Sequence, residues 1–441
     1  MIRKSHILLL FALLLCSCDS MHKDRLAWQK KPLVMAKPES AGFSSERLQR
    51  IDTLFQEYVD QHKIAGATAL VARRGKIVYY KSTGYDDIEK KILLKKDAIF
   101  RIASQTKAIT SVAAMMLYEE GRFLLNDPIS KYLPEFRNPQ LVTSFNKKDS
   151  SYTTKPAKRE VSIHDLLTHT SGYCYPGSGG EDINAIYAKL KVVAGVPSHI
   201  STLKDEMQKI ALAPLAHEPG EKFTYGLSSD ILGYLVEVIS GQSLDDFFRT
   251  RIFSPLGMSD TYFRIPEEKK TRLMNLYSAN TKGDGIQKST SEYVDFPLRQ
   301  GIYYSGGGGL SSTAMDYAIF EQMLLNGGEY NGVRILGPKT IDMMRINQIG
   351  DLEAGSLYLP GFTDKFGLGF EVISPPGSAL VPISDGAFGW GGAFGSLFWI
   401  DPKEDLIVHF VIQYYGMYSD IRNKFITAVY QAIEKVKNDE Q

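Results

Sequence analysis

Cysteine is scarce in this chain, which has three cysteines among 441 residues. Two of them, Cys16 and Cys18, lie at the end of an apolar N-terminal stretch, so Cys174 is alone in the rest of the chain. We therefore expect no intrachain disulfide in the mature protein. A strong charge of either sign is also missing, since 51 basic and 50 acidic residues nearly cancel. No basic stripe is present, which argues against a nucleic-acid partner.

Several catalytic and binding motifs are absent as well. No G-x-S-x-G sequence occurs, which argues against the nucleophile elbow of an α/β-hydrolase. The glycine run at 306–309 lacks both the G-x-G-x-x-G spacing and a phosphate-loop lysine, so we interpret it as a tight turn before a helix. His164 and His169 have no third ligand spaced nearby, and we interpret them as structural histidines rather than metal ligands. No metal or cofactor is expected.

The N-terminus has the features of an export signal. Two basic residues precede an apolar stretch at 7–15 that is too short to span a bilayer. Residues 1–18 resemble a bacterial lipoprotein signal in which Cys18 is acylated, with an ordinary cleaved signal as the alternative. The prediction is an exported cell-envelope protein that contacts a membrane only through a lipid on Cys18, with its domain in the periplasm or outside the cell. Residues 19–43 are predicted to form a tether.

The remaining sequence, residues 44–437, predicts one domain in which β material brackets a helical middle. A helix is expected to begin at Ser44 or Ser45, and the pattern from 126 to about 295 is mostly helical. The predicted β-runs lie at 67–72, 76–82, 366–373, 393–400 and 406–413. Because the two ends of the chain supply the strands, we predict an α+β fold with one antiparallel sheet flanked by helices, plus a mostly helical lobe.

The sequence Ser-x-x-K, a weak signal for a nucleophilic serine, occurs four times, at Ser20, Ser104, Ser144 and Ser201. Ser20 follows the export signal, and Ser144 lies in a polar, lysine-rich loop. Only the copy at Ser104 opens a helix, predicted to have one buried face, after an apolar strand. Ser104 is expected in the first helical turn, where free backbone N–H groups favour negative charge, and Lys107 projects from the same face. A serine that can pass its proton to a nearby amine is a candidate nucleophile.

Three short motifs, in their order along the chain, resemble those of the serine β-lactamase and penicillin-binding protein superfamily. They are Ser104-Gln105-Thr106-Lys107, Tyr225-Gly226-Leu227 and Trp390-Gly391-Gly392. The resemblance is greatest to the class C β-lactamase-like branch and to the family VIII carboxylesterases, and it covers roughly residue 44 to the C-terminus. It implies a sheet flanked by helices, a helical lobe and an active-site cleft between them.

By this resemblance the chain is a serine hydrolase that needs no cofactor. Ser104 would be the nucleophile, and Lys107 and Tyr225 would move its proton. Unperturbed lysine and tyrosine side chains titrate near pH 10, but a nearby ammonium favours a phenolate and burial disfavours a charged amine. Which of the two takes the proton stays open.

The same resemblance implies an oxyanion hole formed by the backbone N–H groups of Ser104 and Ala393. Gly391 and Gly392 fit this role because a side chain at either position would block the approach of the backbone to a substrate. We therefore include both glycines among the predicted substrate-binding residues.

Two departures from the superfamily pattern bear on the substrate. Trp390 stands where many members have a lysine that holds a substrate carboxylate, and Leu227 stands where β-lactamases have an asparagine that recognises an amide. Each lost polar contact would cost ~1 kcal/mol or more for a substrate that needs it. We expect Trp390 and Leu227 to form an apolar wall instead, which favours neutral, apolar carboxylic esters over β-lactams.

Three functions remain open on the sequence alone. The first is carboxylic ester hydrolysis through a serine acyl-enzyme. The second is a D-alanyl-D-alanine carboxypeptidase or class C-type β-lactamase that acts on cell-wall peptide or β-lactam. The third is a catalytically inactive, penicillin-binding-like protein that only binds a ligand. The partner is a small-molecule ester, amide or β-lactam in the first two cases, and the oligomeric state stays open.

Overall fold

A computed structural model describes the fold of most of the chain. The described residues are 32–193, 195, 201–299, 301, 303–354, 364–375, 381–416 and 420–434. The predicted signal at 1–18, the predicted lipidation site Cys18, Ser20 and the first part of the predicted tether lie outside these residues, as do residues 435–441. Within the described residues no helix combines the length and the apolar composition needed to cross a membrane.

Eleven α-helices are present in the described residues. They are α1 Ser45–Asp60, α2 Thr106–Glu119, α3 Ile163–Leu167, α4 Gly180–Leu190, α5 Leu203–Ala211, α6 Ser228–Ser240, α7 Leu244–Phe248, α8 Ser254–Leu256, α9 Ala314–Leu325, α10 Pro338–Met344 and α11 Ile421–Tyr430. Side-chain caps fix several of their first turns. Ser44 accepts a hydrogen bond from the backbone N–H of Arg47 at the start of α1, and Thr313 accepts one from Asp316 at the start of α9.

The described residues also form eighteen short or medium strands. They are β1 Val34–Met35, β2 Gly66–Arg73, β3 Lys76–Asp87, β4 Ile92–Leu93, β5 Phe100–Arg101, β6 Gln140–Asn146, β7 Ser151–Pro156, β8 Tyr277–Ala279, β9 Ile286–Lys288, β10 Ser311–Ser312, β11 Glu329–Tyr330, β12 Val333–Arg334, β13 Lys365–Phe366, β14 Glu371–Val372, β15 Phe388–Gly391, β16 Leu397–Asp401, β17 Leu406–Val411 and β18 Tyr414–Tyr415.

The main sheet joins the two ends of the chain. Its order is β1-β3-β2-β17-β16-β15-β14-β13, with β4 also paired to β3. β2 and β17 run antiparallel in the centre, with Arg73 opposite Leu406 and Thr68 opposite Val411. The predicted α+β fold with a shared sheet is therefore confirmed, with one addition, since the edge strand β1 runs parallel to β3.

Helices cover both faces of this sheet. Along β2 the side chains alternate, so Ala69 and Val71 join one apolar core and Leu70 and Ala72 join the other. The first core includes Phe55 of α1, whose ring packs 5.5 Å from that of Phe425 on α11. The second core continues through α2 and α9 into the helical lobe. The sheet is therefore a middle layer between two sets of helices.

The folded domain begins before residue 44, the start predicted from the sequence. Val34 pairs with Lys76 in the parallel register of β1 and β3. The backbone N–H of Leu33 donates to the hydroxyl of Tyr330 at 3.0 Å. The last residues of the predicted tether therefore belong to the domain.

Three other elements differ from the predictions. The loop that contains Ser144 is a β-hairpin formed by β6 and β7, so the middle of the chain is less purely helical than expected. The predicted strand at 366–373 is the turn-containing pair β13 and β14, because Gly369 has a φ of 93° that reverses the chain. The predicted strand at 393–400 begins only at Leu397, and Ala393 lies in the preceding turn.

Candidate active site

Ser104 lies where a strand turns into a buried helix. β5 pairs with β10 through Arg101 and Ser311, and a single 3₁₀ turn, Ala103–Gln105, leads into α2. Ala103 has a φ of 46°, a left-handed conformation that costs energy for a residue other than glycine and that recurs at functional sites. All residues from Thr106 to Leu117 are buried, so α2 lies in the core on every side rather than on one face as predicted.

Lys107 reaches back to the Ser104 hydroxyl from the first turn of α2. Its Nζ lies 3.3 Å from the Ser104 Oγ and 2.9 Å from the hydroxyl oxygen of Tyr175. It also donates to the carbonyl oxygen of Gly307, in the glycine turn that precedes α9. Lys107 is almost completely buried, so these contacts replace water around its amine.

Tyr225 approaches the same point from the segment before α6. Its hydroxyl interacts with the Ser104 side chain and accepts a hydrogen bond from Trp390 Nε1 at 3.3 Å. Burial raises the pKa of Tyr225 above its ordinary value, whereas the interactions with Ser104 and Trp390 lower it. The Lys107 Nζ lies 4.7 Å from the centre of the Tyr225 ring. The structure therefore brings the predicted hydroxyl, amine and phenol together.

The predicted oxyanion donors face one cavity. Ser104 and Ala393 both line it, and Ala393 lies in a turn closed by a 3.0 Å hydrogen bond from Gly395 N to Gly392 O. A Cβ on Gly392 would lie 2.4 Å from the carbonyl oxygen of Ile102. Glycine is thus needed there for the turn to pack against the segment that carries Ser104, and not only to leave room for a substrate. Gly391 lies in β15, opposite Leu397.

The cavity beside Ser104 has a volume of about 260 Å³ and contains no charged side chain in its described lining. Its lining residues are Ala103, Ser104, Tyr175, Gly195, Tyr225, Tyr293, Phe296, Gly307, Gly308, Ala393, Phe394 and Tyr415. One side is aromatic, since the rings of Tyr293, Phe394 and Tyr415 lie with their centres 5.2 to 6.0 Å apart. We call these three residues the aromatic wall.

Leu227 and Trp390, which we expected to form an apolar wall, do not line this cavity. The side chain of Leu227, at the start of α6, is completely buried in the apolar core. Trp390 is 2% exposed, and its indole packs against the ring of Tyr225, with the ring centres 5.3 Å apart. The apolar surface that a substrate would meet is therefore the aromatic wall, which the motifs did not indicate.

Two further side chains were missed by the sequence analysis. Tyr175 is within hydrogen-bonding distance of Lys107 and lines the cavity, but no pattern around it suggested a role. Asp230 is completely buried beside the glycine turn, where its Oδ1 accepts from Ser305 Oγ at 2.6 Å and from Gly307 N at 3.2 Å. An acid in the first turn of the largely apolar helix α6, five residues after Tyr225, was a signal that could have been used.

The two histidines considered as metal ligands have packing roles. The ring of His169 lies 4.9 Å from that of Tyr225, and burial holds its pKa well below the ordinary value. His164 lies 3.4 Å from the side-chain oxygen of Gln348. In the part of the chain that the structure describes, no three histidine, cysteine or acidic side chains are grouped so that they could hold a metal ion.

The chain is similar to several known proteins. A family model described as Beta-lactamase matches residues 51–431. Esterase EstB of Burkholderia gladioli is 30% identical over 400 residues, which cover 86% of this chain and 94% of EstB. A putative D-alanyl-D-alanine carboxypeptidase of Escherichia coli K12 is 29% identical over 387 residues, covering 82% of this chain and 81% of that protein. The solved structure of EstCE1, a hydrolase with promiscuous acyltransferase activity, superposes with a TM-score of 0.73 at 26% identity, covering 87% of this chain and 99% of EstCE1.

Proposed function

This chain belongs to the beta-lactamase family of serine hydrolases, and on that premise we propose that it hydrolyses neutral carboxylic esters through an acyl-enzyme on Ser104. The observation that carries the proposal is the contact of Lys107 Nζ with Ser104 Oγ at the edge of an uncharged, aromatic cavity. The similarity to an esterase over most of both chains supports it.

Acylation uses the groups that meet at Ser104. The Ser104 Oγ attacks the ester carbonyl carbon, while its proton passes to Lys107 or Tyr225. The backbone N–H groups of Ser104 and Ala393 stabilise the negative oxygen of the tetrahedral intermediate. Loss of one such donor typically costs ~3 kcal/mol of transition-state stabilisation. The carbon–oxygen bond to the alcohol then breaks, and the alcohol leaves with the transferred proton.

Deacylation repeats the same chemistry with water. A water molecule attacks the acyl carbon, and its proton passes to the base that first accepted the Ser104 proton. The bond between the acyl carbon and Ser104 Oγ breaks, the serine recovers a proton, and the carboxylic acid is released. Lys107 and Tyr225 therefore serve both half-reactions.

The cavity lining favours an ester over a peptide or a β-lactam. A D-alanyl peptide and a β-lactam both present a carboxylate, and binding it in a largely apolar site without a cationic partner costs free energy. In the described lining of the cavity no lysine or arginine is present to hold that group. An uncharged acyl chain can instead pack on the aromatic wall.

Substrate choice can be tested with three compounds under one set of conditions. We expect rapid hydrolysis of p-nitrophenyl butyrate, slow turnover of nitrocefin and no release of D-alanine from a D-alanyl-D-alanine peptide. Intact mass after rapid quenching should show an added butyryl group in the wild type and none in Ser104→Ala. Faster turnover of nitrocefin or of the peptide would favour the β-lactamase or carboxypeptidase alternative. Absence of every adduct would favour the ligand-binding alternative.

We propose separately that a lipid on Cys18 attaches the chain to a membrane of the bacterial cell envelope, on the strength of the N-terminal sequence. The full chain should partition into the detergent phase of Triton X-114 after expression in a bacterial host, and Cys18→Ser should move it to the aqueous phase. A wild-type protein that stays in the aqueous phase would indicate an ordinary cleaved signal instead.

A further inference from the structure

Asp230 is a buried acid that the proposed reaction leaves without a role. It lies in the first turn of α6, and its side chain is completely shielded from solvent. Its Oδ1 accepts hydrogen bonds from Ser305 Oγ at 2.6 Å, Gly307 N at 3.2 Å and the Tyr303 hydroxyl at 3.4 Å. Three donors on Oδ1 stabilise the ionised form of the carboxyl group, whereas the buried Oδ2 has no hydrogen-bond partner among the described residues.

The glycine turn connects this acid to Lys107. The N–H of Gly307 donates to Asp230, and the carbonyl oxygen of the same residue accepts from the Lys107 Nζ. A Cβ on Gly307 would lie 2.4 Å from the Asp230 Oδ2, so the turn and the carboxyl group are packed against each other without space between them. Burial raises the pKa of Asp230, whereas the Ser305 hydrogen bond and the positive charge of Lys107 lower it.

The other titratable groups near Asp230 are neutral or lie further back. Tyr175 and Tyr225 face it from the cavity side, and its negative charge raises the pKa of both phenols, a smaller effect than that of their burial. Tyr303 donates to it directly, and His169 lies behind Tyr225. Burial raises the pKa of Tyr303, and the charge of Glu206 on α5 raises it further. Glu206 also has its own cationic partner, since its Oε1 lies 2.8 Å from the Lys209 Nζ.

We propose that Asp230 is a positioning residue whose negative charge balances Lys107 through the glycine turn and thereby sets the pH at which Ser104 becomes reactive. The inference rests on the proposed function of Ser104. A carboxylate favours a nearby ammonium over the free amine and disfavours a nearby phenolate. Both effects keep a proton on the base, so the sign is the same whether Lys107 or Tyr225 accepts the proton of Ser104. Asp230 therefore shifts the pH at which Ser104 becomes reactive to a higher value.

The test is the rate at which a fluorophosphonate probe labels the full chain between pH 5 and pH 9. Asp230→Asn removes the charge while keeping an oxygen acceptor for Ser305 and Gly307. We expect the midpoint of the labelling profile to fall by about one pH unit, the lower end of the range for a neighbouring charge. Asp165→Asn is the matched control, because Asp165 is also a buried acid, is held ionised by its ion pair with Arg159 and does not contact Lys107, and its midpoint should stay at the wild-type value.

The outcomes separate this inference from the proposed function. If the wild type takes no label at any pH, the proposed function is wrong. If wild type and Asp230→Asn are both labelled with the same midpoint, the proposed function stands and the role of Asp230 is overturned. A purely structural role would lower the melting temperature and slow labelling equally at all pH values. Asp230→Ser, which also removes the charge, is the second variant if the amide does not fold.

Discussion

The hydroxyl oxygen of Tyr175 lies closer to the Lys107 Nζ, at 2.9 Å, than the Ser104 Oγ does, at 3.3 Å. The same nitrogen lies 5.4 Å from the centre of the Tyr175 ring and 4.7 Å from that of Tyr225. The amine is thus held between two aromatic rings, an arrangement that stabilises a cation in a buried place. The two tyrosines therefore have different partners. Tyr175 is hydrogen-bonded to Lys107, whereas Tyr225 interacts with Ser104.

Because their partners differ, we expect removal of the two tyrosine hydroxyl groups to have unequal effects on catalysis. Tyr225→Phe should lower kcat for p-nitrophenyl butyrate by about 10²- to 10⁴-fold, the usual contribution of a proton-transferring group. Tyr175→Phe should lower it by only about tenfold, because it loses one hydrogen bond to a charged group and leaves the proton acceptor in place. Steady-state kinetics of the two variants against wild type provide the measurement.

Melting temperatures control for damage to the fold, since both rings stay in place in these variants. Equal losses of kcat in the two variants would show that Tyr175 takes part in proton transfer. A larger loss in Tyr175→Phe would exchange the roles of the two tyrosines.

The elements of the fold that local sequence signals determine could be predicted from the sequence. Ser44 caps the helix predicted to begin beside it, and Thr313 caps the helix predicted to follow the glycine run at 306–309, because a short polar side chain satisfies a free backbone N–H. The strand pair at 67–72 and 76–82 followed from two β-type runs joined by the turn signal Arg73-Arg74-Gly75. Ser104 could be selected from four similar motifs because only its helix is largely apolar.

The walls of the cavity could not be read from the sequence, because they depend on contacts between distant segments. Arg101 joins those segments, since its side chain donates to Tyr293 O at 3.0 Å, to Met274 O at 2.7 Å and to Gln413 Oε1 at 3.2 Å. Leu227 was misplaced for a related reason. Its position in a motif was known, but the direction of its side chain depends on how α6 begins.

Trp390 is expected to affect turnover rather than substrate binding. Its indole N–H donates to the Tyr225 hydroxyl, yet the residue does not line the cavity. Trp390→Phe removes that hydrogen bond and should lower kcat by about fivefold, roughly 1 kcal/mol, with little change in KM. Trp399→Phe is a matched control, because the Trp399 indole N–H donates to the Tyr430 hydroxyl at the same distance of 3.3 Å in the core on the other face of the sheet.

A rise in KM with unchanged kcat in Trp390→Phe would show that the indole contacts the substrate. Equal kinetic effects of the Trp390 and Trp399 substitutions would indicate a general loss of stability, which melting temperatures would reveal.

The aromatic wall is expected to select for the size of the acyl group. Tyr415 lines the cavity and is still 39% exposed, so it can be shortened with little damage to the core. Tyr415→Ala should raise KM for p-nitrophenyl hexanoate by about tenfold, since burying a few methylene groups contributes ~1 kcal/mol or more. The KM for the acetate should change little, because its acyl group is too short to reach the wall. Leu212→Ala, at an exposed position outside the cavity lining, is the control, and equal KM changes for both esters would contradict the assignment.

A buried pair between β17 and α9 is expected to affect how the free energy of unfolding changes with pH. His409 Nδ1 lies 2.7 Å from Glu321 Oε1, and neither side chain is exposed. Burial lowers the pKa of His409 to about 3 and raises the pKa of Glu321 well above its ordinary value. Glu321 therefore reduces stability as the pH rises, because only the unfolded state ionises it readily. The lowered pKa of His409 changes stability with pH in the opposite direction. Substitution of His409 alone therefore separates its contribution from that of Glu321.

His409 should make the protein less stable in acid, because the unfolded chain binds a proton below about pH 6.5 while the folded state does not until about pH 3. Its contribution is complete above pH 6.5 and is lost as the pH falls. Between pH 7 and pH 4.5 it should remove about 3 kcal/mol from the free energy of unfolding. In urea titrations at these two values, His409→Gln should lose that part of the difference, whereas His62→Gln at an exposed site should keep it. An unchanged difference in His409→Gln would mean that the imidazole is already protonated in the folded core.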